Sequence, residues 1–243
     1  MNILTITLIG TLVCAFGTTF GAFLIVILKK TNNILMSSII GIAAGLMLSV
    51  VTFDLIPESI ETGGLLLAVV GTIIGIAFAI ILDYFLSYLN IIKKYGKHLK
   101  TALLLALALS AHNFPEGLAI GTGFIKGINF GFKIAIVIAF HDIPEGAAVA
   151  APLLQSSLKR WQILILTALT ALPTAIGTYF GAVLGNISNV FVSLCLGFAS
   201  GTMLYIVVGE LIPESKELSK GILSTLSTLL GLLLGLLLVS FFG

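Results

Sequence analysis

Eight long apolar runs divide the 243-residue chain, at approximately 3 to 28, 34 to 57, 64 to 89, 101 to 125, 129 to 153, 161 to 185, 188 to 212 and 220 to 242. Roughly 20 apolar residues cross the hydrocarbon core of a bilayer as a helix, so each run is long enough to span. Runs this long and continuous exclude a β-barrel, whose strands are about ten residues of alternating polarity. The connecting segments are too short to hold a soluble domain. The expected fold is therefore an all-α integral membrane protein forming a single transmembrane domain over residues 1–243, with eight transmembrane helices. Only 9% of residues are charged, against roughly 25% in a soluble domain. The first run lacks a basic leader and is expected to be retained as a span. Cys14 and Cys195 lie inside apolar runs and form neither a disulfide framework nor a CxxC pair.

Basic residues are retained on the cytoplasmic side of a membrane. Lys29 and Lys30, then Lys93, Lys94, Lys97 and Lys100, then Lys159 and Arg160, then Lys216 and Lys220 follow alternate runs, and together make up ten of the 12 basic side chains. Only Lys126 and Lys133 fall on the opposite side. This distribution predicts a multi-pass protein of the cell (inner) membrane with both termini outside the cytoplasm. The formal net charge of +2 gives no field that would attract nucleic acid, and no nucleotide-binding loop is present.

The chain repeats internally. Residues 41–59 read GIAAGLMLSVVTFDLIPES and residues 197–215 read GFASGTMLYIVVGELIPES, identical at 11 of 19 positions with an offset of 156. GTTFGA at 17–22 recurs as GTYFGA at 177–182, an offset of 160. Gly64-Leu65-Leu66 opens the third run and Gly221-Ile222-Leu223 the eighth, a weaker match in similar register. Runs one to three thus repeat as runs six to eight. Counterparts five spans apart cross the membrane in opposite directions, which gives a 3 + 2 + 3 arrangement with an inverted repeat, an architecture that transporters use to place substrate at the midplane.

Spans four and five form the centre of that arrangement and carry His112-Asn113-Phe114-Pro115-Glu116-Gly117 and His141-Asp142-Ile143-Pro144-Glu145-Gly146. Ionisable groups inside a bilayer cost several kcal/mol each, and five occur here. His112 with Glu116, and His141 with Glu145, are spaced i, i+4 on one helix face; Asn113 with Glu116, and Asp142 with Glu145, are spaced i, i+3 on an overlapping face. Pro115 and Pro144 cannot donate to the carbonyls of Ala111 and Phe140, so local unwinding beside an ion site is expected. A mixed nitrogen and oxygen donor set suits Zn²⁺, Fe²⁺ or Mn²⁺ better than Ca²⁺ or Mg²⁺.

Acidic residues also mark both ends. Asp54, Glu58 and Glu61 close the second span and Glu210, Glu214 and Glu217 the seventh, so each mouth of a cation path would be negative. Asp54, Glu58, Glu210 and Glu214 recur in both halves beside Pro57 and Pro213 and are assigned to the pathway, with Met47 and its counterpart Met203 as candidate lining. Glu61 and Glu217 are expected to reach water at helix ends. Asp83 is expected at the interface beside Lys93 or Lys94, and Tyr84, Tyr88 and Trp161 in an interfacial aromatic belt.

The doubled motif HNFPEG and HDIPEG, set in eight spans arranged 3 + 2 + 3, resembles the ZIP family of divalent metal transporters, and histidine at both motif starts is similar to its bacterial, GufA-like branch. The resemblance covers essentially the whole chain. It implies a binuclear centre between spans four and five, with one metal held by His112, Glu116, His141 and Glu145 and the other by Asn113, Glu116, Asp142 and Glu145. It also implies alternating access and a homodimer. The partners are divalent metal ions, Zn²⁺ foremost with Fe²⁺, Mn²⁺ and Cd²⁺ as alternatives, and the lipid bilayer; the metal is substrate rather than prosthetic group. Relatives often place a glutamate in span six to complete the second site, whereas the best candidate position here, near Thr174 after Pro173, carries no carboxylate. An intramembrane metal-dependent hydrolase would use the same ligands but has no need of a repeat with an acidic cluster at each mouth.

Overall fold

The structure, a computed structural model, describes residues 1–28, 32–88, 110, 113, 114, 116–154, 158–185, 188–219 and 221–242. Every ordered element among these residues is helical. The helices are α1 (Ile3–Leu28), α2 (Asn33–Val50), α3 (Ile56–Gly63), α4 (Leu65–Tyr88), α5 (116–126), α6 (Ile128–Leu154), α7 (Arg160–Leu169), α8 (Leu172–Gly185), α9 (Asn189–Ile206), α10 (Ile212–Leu218) and α11 (Ile222–Phe242). Among the described residues, 3–27, 33–63, 160–185, 189–218 and 222–241 are helical stretches long and apolar enough to cross a membrane. Their outward faces are large and apolar, as lipid contact requires; Leu4, Phe16, Ile176, Leu233 and Leu237 are all more than half exposed.

The second span, expected to end near residue 57, continues to Gly63. A π-helical turn at Val51–Leu55 joins α2 to α3, and the Ile56 N–H donates to the Val51 carbonyl five residues back. Pro57 follows within the first turn of α3, where a proline's missing N–H is tolerated, so the widened turn lets the helix pass the proline instead of ending there. Val207–Leu211 repeats the device: it joins α9 to α10, with Ile212 N–H on the Val207 carbonyl and Pro213 just beyond. Asp54 and Glu210 occupy matching places in the two wide turns.

Sequence repetition thus becomes structural repetition. At the offset of 156, Asn32 caps α2 by accepting from Leu35 N–H at 2.8 Å, and Ser188 caps α9 by accepting from Phe191 N–H at 3.2 Å. The tie between halves is reciprocal. Ser37 and Ser215 each donate to the other's carbonyl at 2.7 Å. Their counterparts Ser193 and Ser59 do the same at 2.8 and 2.7 Å. Helix α2 packs on α11 and α9 on α4, through glycines that meet backbone directly: Gly75 lies on the Phe198 carbonyl and Gly231 on that of Ile42. Both members of these contacts shift by 156, which sets the register of the third and eighth runs one residue from that suggested by pairing Gly64 with Gly221.

The sixth span is broken. Pro173 cannot donate to Leu169, and Thr170, Ala171 and Thr174 donate instead to Thr167, Ala168 and Ala171 at 3.1, 3.2 and 3.1 Å, closing three-residue turns between α7 and α8. The Thr170 carbonyl is thereby released from the ladder. Helix α6, in contrast, runs unbroken from Ile128 to Leu154 through Pro144, so the unwinding expected around Phe140 does not occur. Loss of one hydrogen bond is absorbed within a 27-residue helix held by neighbours on both sides.

Candidate metal centre

Helix α1 is pressed against α6 along a stripe of small residues. A side chain at Gly21 would strike the Ile143 carbonyl, one at Gly17 the Ala139 carbonyl and Asp142 Cβ, and one at Gly146 the Thr18 carbonyl. Helix α8 approaches α5 in the same way, through Gly177 on the Phe114 carbonyl and Gly181 on that of Leu118. Close backbone contact through glycine is how membrane helices pack without a hydrophobic driving force. It brings four helices together around the acids of the two central motifs.

Those acids lie far from solvent. Asn113, Glu116 and Asp142 are wholly buried and Glu145 is 1% exposed. The structure places Asp142 of α6 beside Glu116 of α5, with Glu145 three residues further along α6; His112 and Pro115 lie outside the described residues, as does the side chain of His141. Asn113 is oriented by the break in the sixth span. Its Nδ2 donates to the released Thr170 carbonyl at 2.7 Å, and its Oδ1 has no hydrogen-bond partner among the described residues. A buried amide oxygen left this way costs about 1–3 kcal/mol, a cost that a bound cation would remove.

The sequence reading missed Cys14. Its sulfur and one carboxylate oxygen each of Glu116 and Asp142 all lie within 4.8 Å of one another, and all three residues are buried. Thr174 Oγ1 donates to Cys14 Sγ at 3.1 Å. The repeat offset of 160 maps Cys14 onto Thr174, so the two positions that the repeat equates meet at the centre. That offset was the available signal, obscured because a lone cysteine in an apolar run resembles packing.

The pathway residues divide between two ends. Asp54, 4% exposed, pairs with Lys133 at 2.9 Å, and Glu58 pairs with Lys126. Lys126 also donates to Thr62 at 3.0 Å, and Thr62 to Glu58 at 3.2 Å. Lys126 and Lys133 therefore pair with Glu58 and Asp54, and a 260 Å³ cleft nearby is lined by Glu61, Thr62, Lys126 and Asn189. Burial lowers the pKa of Lys126. At the other end Glu210 and Glu214 are half-buried, while Glu61 and Glu217 are exposed as expected of helix-end acids. Met47 and Met203 are fully buried in the apolar core. Asp83 accepts from the Tyr205 hydroxyl at 2.7 Å, which gives this acid a partner on α9; Lys93 and Lys94 lie outside the described residues. Tyr84 and Trp161 are exposed.

Comparison with known proteins matches residues 90–243 to the family described as ZIP zinc transporter. The chain belongs to the ZIP family. It is 32% identical to the zinc transporter ZupT of Enterobacter sp. (strain 638), over 99% of this chain and all of that protein. It is 30% identical to the zinc transporters ZupT of Salmonella paratyphi A (strain ATCC 9150 / SARB42) and Salmonella newport (strain SL254), over 88% of each chain. In this ZIP protein the motifs at 112–117 and 141–146 hold the most deeply buried acids of the described helices.

Proposed function

We propose that this ZIP protein moves divalent transition metal ions, Zn²⁺ foremost, into the cytoplasm by alternating access through a metal centre between its fourth and fifth spans. The observation that carries this reading is the wholly buried group of Asn113, Glu116 and Asp142 with Glu145 beside it. Buried carboxylates at membrane depth are tolerated where they serve an ion or proton path. His112 and His141 complete the donor set, giving the mixed nitrogen and oxygen ligands that a borderline cation prefers. The cation is cargo, and the protein is a transporter rather than an enzyme; nothing supports the hydrolase alternative.

The architecture that accommodates this activity has eight spans, 3 + 2 + 3, with spans one to three inverted relative to six to eight and both termini outside. The swapped serine pairs and matched π-helical turns support it, because a two-fold relation between halves exchanges partners in this way. In this multi-pass inner-membrane protein, Asp54 and Glu58 form the outer mouth and Glu210 and Glu214 the inner one. Metal and protons compete for the central ligands, since imidazole and carboxylate must be deprotonated to bind. A second copy of the chain completes a homodimer.

Purified protein in liposomes loaded with a fluorescent metal indicator tests the reading. Zn²⁺ influx is expected from the wild type and lost with His141→Ala or Glu145→Ala. Influx that survives both substitutions would place the path elsewhere.

A further inference from the structure

We infer that Cys14 is a direct ligand of the transported cation and that its sulfur makes the centre favour thiophilic divalent ions over hard ones. This rests on the reading that the buried central carboxylates hold the cargo.

Three observations converge on the sulfur. First, Cys14 Sγ is grouped with oxygens of Glu116 and Asp142 within 4.8 Å, all buried. Zinc bonds of about 2.0–2.3 Å in a tetrahedron separate ligand atoms by roughly 3.3–3.8 Å, so the group needs to contract by little more than an ångström to hold one ion. A cysteine kept for packing lies among carbon atoms; two carboxylates are poor neighbours for that role. Second, Thr174 occupies the place where the family resemblance leads one to expect a carboxylate, and its hydroxyl is turned onto the sulfur. Such a donor to a ligand atom fixes its orientation, as outer-shell partners do in metal sites. The missing ligand is supplied by the repeat counterpart of the vacant position. Third, Asn113 is wholly buried and its Oδ1 has no hydrogen-bond partner among the described residues. It stands three residues before Glu116 in the sequence and is a further buried oxygen donor in the same motif.

Thiolate is a soft ligand and selects thiophilic ions, whereas carboxylate and amide oxygens suit Mn²⁺. One sulfur among oxygens therefore shifts the centre toward Zn²⁺ and Cd²⁺. When the cation binds, the thiol hydrogen leaves as a proton, as thiolate ligation requires.

Cys195 is the chain's other cysteine and lies in α9, so Cys195→Ala leaves Cys14 as the sole thiol. The purified Cys195→Ala protein, loaded with Co²⁺ and dialysed, is expected to show a sulfur-to-metal charge-transfer band, absent from the same protein carrying Cys14→Ser. In liposomes Cys14→Ser should raise the KM for Cd²⁺ about tenfold or more while that for Mn²⁺ changes less than about twofold. Bound Co²⁺ without the band, or equal shifts for Cd²⁺ and Mn²⁺, overturns the inference while leaving the carboxylate centre standing. The control separates the two readings. If Glu145→Ala transports Mn²⁺ undiminished, the central site itself is wrong and both fall.

Discussion

Lys133 holds Asp54 at 2.9 Å across the junction of α6 with the π-helical turn that follows α2, and both side chains are largely buried. With Lys126 on Glu58, the pair gives the outer mouth of the proposed path its own cations. The ladder of acids is thus not a bare attractor. On the proposed path, an entering divalent ion would replace an ammonium at each acid, exchanging one cationic partner for another instead of filling an uncompensated negative site.

This arrangement predicts a measurable coupling. Lys133→Met leaves Asp54 buried without its cation, and breaking a buried pair costs up to about 3–5 kcal/mol. Asp54→Asn with Lys133→Met removes both charges and should recover most of that loss. Thermal unfolding of the metal-free protein in detergent, run as a double-mutant cycle, should return a coupling of about 1–3 kcal/mol. Additivity within about 0.3 kcal/mol would show that the pair is incidental.

The all-helical, membrane-spanning class is legible in hydrophobic run length, and the matching of equivalent residues in the offset of 156; both survive without tertiary knowledge. α1, for example, occupies the expected residues. What escaped the sequence were events that depend on a neighbour or on a single backbone turn. The sequence ends the second span at Pro57 and predicts local unwinding beside Pro144, yet a π-helical turn precedes one and the long α6 absorbs the other. Pro173 does interrupt its span, and only the fold shows that the interruption hands the Thr170 carbonyl to Asn113. The central carboxylates were visible as charges inside lipid. Cys14 was not, because its meaning lies in a glycine stripe that brings it beside Asp142, and apolar helices give no sign of which face meets which partner.

The reciprocal serine pairs should respond as a matched set. Ser37→Ala and Ser193→Ala remove equivalent donors from equivalent carbonyls, and each buried hydrogen bond lost costs about 1 kcal/mol. The two substitutions should lower stability by the same amount within about 0.5 kcal/mol. Unfolding in detergent compares them directly. A large loss in one half with none in the other would contradict a two-fold relation.

Glycines at helix crossings should tolerate no methyl. Gly21→Ala and Gly146→Ala place a Cβ on the carbonyls of Ile143 and Thr18, backbone atoms that move only with their helices. Overpacking of this kind costs about 1–3 kcal/mol. It also pushes α1, and Cys14 with it, away from the centre, so Zn²⁺ influx should fall with stability. Gly127→Ala, where a Cβ meets nothing within 4 Å, is the control and should leave both unchanged. Wild-type influx in Gly21→Ala would mean that the α1–α6 spacing is not used.

Thr174→Val tests whether the hydroxyl orients the sulfur or merely fills space. Valine keeps the volume and shape of threonine but cannot donate to Cys14 Sγ, the contact now made at 3.1 Å. Loss of an outer-shell partner typically weakens metal affinity about 10–100-fold. Cd²⁺ affinity, measured by equilibrium dialysis, should fall within that range and Mn²⁺ affinity much less, since the oxygens that Mn²⁺ prefers keep their supports. Thr174→Ser retains the donor and should restore Cd²⁺ binding. If Thr174→Val binds Cd²⁺ as tightly as the wild type, the hydrogen bond has no part in presenting the sulfur.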